Sequence, residues 1–220
     1  TLVAIPRNMA CVEVCVETSK AQRWRAQLLQ AMEDGCLDAG AAAKLAGKLG
    51  FAVTVTADKV GRAFLKAFHA QAHSPLPGGV LSDRLRRSCA WFAQYLAINH
   101  SSKTCPNDER PHVRLWTDAA GVYRMLAAVV CVDGCWHYTC DKVPEKVWRL
   151  LLSRRDNQIG LQELLALPLA FGTFASLLEN KLVTAFIDND GALGSVLHGS
   201  VDAADANFII GRFWPDAATL

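Results

Sequence analysis

The stretch Arg114-Leu-Trp-Thr-Asp-Ala-Ala-Gly121 governs how the rest of the chain is read, because it ends a strand-like run on an aspartate. Val113 to Thr117 alternates and is rich in residues that suit a strand, which predicts Asp118 at the strand end or just beyond it. Glu163 lies in Gln162-Glu-Leu-Leu-Ala-Leu167, in the first turns of a helix predicted from about Ile159 to Glu179. Leu161, Leu164, Leu165, Leu169 and Phe171 give that helix a broad apolar surface. A carboxylate beside such a run costs free energy to bury unless it is paired or ligates a cation. Leu182 to Ile187 reads as a continuous apolar strand buried on both faces, and it delivers Asp188 at its carboxyl end, where open α/β sheets place ligands. Magnesium accepts oxygen ligands, so a site for it needs several carboxylates brought together by rigid elements. Asp118, Glu163 and Asp188 supply one from each of three elements.

Outward from these positions the chain changes character once. Val12 to Glu17 is strand-like, and Thr18 or Ser19 is placed to cap a helix that runs to Asp34 and stops at Gly35. Helices are predicted over Ala39–Val55, Val60–Ala72 and from a Ser82 cap to about Asn99, with a loop at Ser74–Gly79. Ser101 to Pro111, with two prolines and mixed charge, reads as a linker. Beyond it, strands are predicted at 112–118, 122–132 and 135–141, with a turn at Asp133-Gly134 and a helical or irregular excursion from Pro144 to Asp156. The expected class is α/β: a mostly helical region over residues 1–105, then a mixed sheet with flanking helices over 111–220.

Composition fits a folded protein of 220 residues, 51% hydrophobic, with no apolar run of membrane-spanning length. Residues 1–110 carry 14 Lys+Arg against 9 Asp+Glu, and residues 111–220 carry 9 against 12, so a weakly basic front precedes an acidic rear. Arg84, Arg86 and Arg87 can grip nucleic-acid phosphates, or equally form a polar helix face opposite Leu85, Cys89 and Phe92. The eight cysteines show no paired framework, which predicts reduced thiols and an intracellular, reducing setting. Cys131, Cys135, His137 and Cys140 lack zinc spacing, and alternation along a hairpin points them to different faces. His69 and His73 share a helix face with no further ligand beside them, so they read as solvated. Asp190 is an extra ligand candidate or, preferably, the cap of the next helix, while Trp116 and Trp214 read as core aromatics.

The order of elements resembles the ribonuclease H domain at the carboxyl end of a retroelement reverse transcriptase. Thr117-Asp-Ala-Ala-Gly121 is similar to that family's first catalytic strand, Ile159-Gly-Leu-Gln-Glu-Leu-Leu-Ala-Leu167 to its catalytic helix, and Ile187-Asp-Asn-Asp190 to its third acidic strand. Asn207 to Trp214 resembles the helix that follows, while Ala41–Phe51 and Val60–Leu65 resemble the thumb and connection region, with a Ty3-like or DIRS-like flavour. The resemblance implies a ribonuclease H-like sheet, with Asp118, Glu163 and Asp188 as catalytic and metal-binding residues for magnesium. It also implies an RNA/DNA hybrid as substrate and hydrolysis of its RNA strand. Two departures stand out. The polymerase palm is absent, and no counterpart of the family's last strand and helix, with its fourth acidic residue, is found before Leu220; Asp202, Asp205 and Asp216 lack the context. The alternative expectation is therefore a catalytically inactive structural or RNA-binding subunit, with a protein partner covering a truncated sheet.

Overall fold

A computed structural model describes residues 5–7, 11–56, 59–98, 101–104, 110–153 and 158–218. The chain divides into two compact units, Thr1–Asp108 and Glu109–Leu220. In the first, helix α1 (Thr18–Asp34) buries Ala21, Trp24, Leu28 and Ala31 along one stripe and ends where Gly35 turns left-handed at φ 69°. Glu17 rather than Thr18 or Ser19 occupies the cap position, and the Ser19 hydroxyl donates to Glu17 Oε1 at 2.6 Å. Helices α2 (Ala39–Thr56), α3 (Arg62–His73) and α4 (Asp83–Ile98) follow, with α1 packed on α4 and α2 on α3. Here Ser82 does cap, its Oγ accepting from the Leu85 amide at 3.2 Å. Gly61 precedes α3 at φ 90°, and a Cβ there would meet the Trp91 ring at 2.9 Å, so only glycine fits.

The linker expectation needs correcting. Strand β3 (Ser101–Thr104) pairs antiparallel with β2 (Cys11–Cys15), which pairs in turn with β1 (Ile5–Arg7), so the helical unit also holds a three-stranded sheet. Four polar residues carry no alternation to read, and backbone pairing alone recruits them. Pro106 and Asn107 lie outside the described residues.

In the second unit β4 (His112–Ala120) pairs antiparallel with β5 (Met125–Val132), and β5 with β6 (Cys135–Lys142). Asp133 and Gly134 both have positive φ, 49° and 78°, the geometry of the tight turn that follows strand twist. After the short α5 (Glu145–Trp148), helix α6 (Ile159–Thr173) crosses the sheet and leads through α7 (Ala175–Leu178) to β7 (Leu182–Ile187). β7 lies parallel to β4, giving the order β6-β5-β4-β7. The helix predicted to reach Glu179 is thus two pieces that meet at Phe174, whose amide still bonds to Ala170 O. Helices α8 (Asp190–His198) and α9 (Ala204–Ala217) close the unit, and among the described residues no strand follows β7.

One sheet face is covered. Val113, Leu115, Ala128 and Val130 pack against Ala170, Phe174 and Leu178, while Leu161 and Leu164 on α6 pack with Ala192, Ala206, Ile209 and Ile210 from α8 and α9. The other face is open, and this corrects the expectation for β7: its residues alternate between partly buried and exposed instead of being buried on both sides, and Phe186 is 44% exposed. Trp116 is on that open face and only partly buried, so it is not a core aromatic. Trp214 does pack against the α6–α9 cluster, and its indole N–H donates to Val196 O. No helix among the described residues is long and apolar enough to cross a membrane.

Candidate metal centre

Strand β4 presents Arg114, Trp116 and Asp118 to the open face and sends Val113, Leu115 and Thr117 to the core. Asp118 therefore lies within the strand, two residues before its end, rather than at or beyond the end. Asp188 follows β7 directly. Because β7 runs parallel to β4 with Thr117 opposite Ile187, both aspartates emerge at the same end of adjacent strands. Glu163 enters from the first turns of α6, where the apolar stripe that seats the helix also buries the carboxyl to 3% exposure.

These three side chains converge: one carboxylate oxygen from each lies within 4.8 Å of the others. The Ala119 amide donates to Glu163 Oε1 at 3.1 Å and to Asp118 Oδ1 at 2.7 Å, tying helix to strand through the acids themselves. Glu163 Oε2 is buried with no hydrogen-bond partner. Burial, then the nearby charges of Asp188 and Asp118, push the Glu163 carboxyl up to about 7, against the pull of the Ala119 amide. A carboxylate buried without a full set of donors and facing two more acids is stable only when protonated or when it meets a cation. An all-oxygen set of this kind suits a hard divalent ion such as magnesium.

Neighbouring residues hold this frame. A Cβ on Gly121 would meet Ile159 Cδ1 at 3.3 Å, so the turn after β4 comes close to the first turn of α6. The buried Gln162 reaches across with its Nε2 donating to Gly121 O. Asn189, not Asp190, caps α8: its Oδ1 accepts from the Ala192 amide at 2.9 Å, and Asp190 stands exposed as the first residue of the helix. Sequence reading missed Asn189 because Asp188, Asn189 and Asp190 are all good caps, and only the backbone decides among them. Asp205 accepts from the Leu152 amide at 2.8 Å, a structural role away from the triad.

Among the described residues the acidic triad is the one group of three or more His, Cys, Asp or Glu placed to hold a metal ion. Cys131, Cys135, His137 and Cys140 do not converge: Cys131 and Cys140 pair opposite residues of one sheet face, while Cys135 and His137 belong to the other. The described cysteines are free thiols. His69 and His73 are exposed on α3. Arg84, Arg86 and Arg87 are all exposed on α4. Arg86 donates to Met32 O near the end of α1 and Arg87 to Asp83 O on its own helix. No family model matches this chain, and neither does any curated protein.

Proposed function

We propose that the second unit is a metal-dependent phosphodiesterase of ribonuclease H type, hydrolysing the RNA strand of an RNA/DNA hybrid at Asp118, Glu163 and Asp188. One observation carries the reading: a 3%-exposed carboxylate with an unpartnered oxygen, aimed at two exposed aspartates from other elements. A triad kept only for stability would place a donor there, because a buried unpaired carboxylate is costly. The element order supports the class, with a first acidic strand, an acid-bearing helix and a third acidic strand parallel to the first.

Magnesium ions held by the three carboxylates would polarise the phosphodiester and activate water. The residues themselves divide the work. Glu163 fixes the inner ligand position, since the Ala119 amide holds one of its oxygens and burial excludes competing water. Asp118 and Asp188 stand exposed, so they give access to a polymer approaching along the strand ends. Magnesium-dependent cleavage of a labelled RNA/DNA hybrid tests the reading. The parent chain should cleave, and Asp118→Asn should lose at least about a hundredfold, as expected when a metal ligand is removed. Equal activity in parent and variant would overturn it.

A further inference from the structure

The open face of the second sheet holds a row of aromatic rings that the triad does not use. Trp116 stacks on Phe186 with centroids 5.1 Å apart and planes 9° apart, and Trp136 leans on its other side at 5.4 Å. The row thus crosses β6, β4 and β7. Its outer members are exposed, Trp136 at 64% and Phe186 at 44%, and Tyr138 beside them at 83%. Large exposed aromatic patches on a sheet mark binding surfaces.

Two features say what binds. The row is continuous with the triad: Asp118 follows Trp116 by two residues, roughly 7 Å further along the same face of β4, and Asp188 follows Phe186 by two, just past the end of β7. A cation also flanks the rings: Arg114 is exposed one pleat before Trp116, on the side away from the acids. Aromatic residues suit protein and nucleic-acid partners alike, but an acidic metal-type site at the end of the row and a cation beside it favour single-stranded nucleic acid, which wants rings for its bases and cations for its phosphates.

We propose that this face binds single-stranded nucleic acid, whose unpaired bases add to the ends of the Trp136–Trp116–Phe186 row beside the phosphodiester held at the triad. The inference rests on the phosphodiesterase reading and names the flank of its substrate. Arg114 takes a backbone phosphate on the side away from the acids.

Binding without metal provides the test. Fluorescein-labelled single-stranded RNA and DNA of roughly 12 nucleotides, within the site sizes of such surfaces, are titrated with the full 220-residue chain in chelator. Fluorescence anisotropy and quenching of intrinsic tryptophan emission report binding. Trp136→Leu with Phe186→Leu, both exposed and both replaced by an apolar side chain, should weaken it about tenfold or more. Arg114→Gln should lower the salt dependence by about one phosphate contact. Single-strand binding that is absent, or indifferent to the ring substitutions, overturns the proposal. So does sedimentation showing that the parent self-associates and the double variant does not, which would make the face a protein interface. Because the readout needs neither metal nor turnover, failure of the triad would appear separately, as lost cleavage with ring-dependent binding intact.

Discussion

At the scale of single residues, Glu163 is the most informative position. Its unfolded value is 4.5 and its folded value about 7, so between those limits the folded state holds a proton that the unfolded chain has released. Its contribution is fully present below about pH 4.5 and is lost as pH rises to about 7, a loss of up to roughly 3 kcal/mol in the metal-free protein. Glu163→Gln should remove this slope, so urea denaturation in chelator at pH 5 and pH 8 should show a smaller difference in the variant than in the parent. Added magnesium should stabilise the parent at pH 8 and not the variant. The convergence of the three acids was legible in the sequence because a carboxylate next to an apolar helix stripe is costly to bury alone, and strand carboxyl ends are where open sheets place ligands. The ring row was not legible: alternation shows that Trp116 faces away from Leu115, but whether that face is covered depends on elements far along the chain.

At the scale of elements, β7 and α8 show how a ligand is aimed. Asp188 occupies the junction between strand and helix, and the helix start is fixed by Asn189 accepting from the Ala192 amide. Asn189→Ala should cost about 1 kcal/mol and should also weaken divalent-ion binding, because the junction frays where the ligand is attached. Calorimetry with magnesium and a denaturant melt separate the two effects. The strands of the second unit could be read from alternation and from the Asp133-Gly134 turn. β3 could not, since Ser101-Ser-Lys-Thr104 shows neither period, and neither could the break at Phe174, where apolar residues continue through both helical pieces.

At the scale of the whole molecule, the division between Asp108 and Glu109 separates the triad and the ring row from the helical unit. Residues 109–220 expressed alone should unfold in one cooperative transition and be stabilised by magnesium, as thermal melts with and without the ion would show. Helix α6 touches the sheet, α8 and α9 at once, so it belongs to every packed cluster of that unit. The helix that carries the inner ligand therefore cannot loosen without opening the whole unit. In hydrogen exchange, the amides of β4 and α6 should be the slowest to trade deuterium, and an ion that grips Glu163 should slow them together, to one common extent. An ion that protected only Ala119 would mark a site detached from its scaffold.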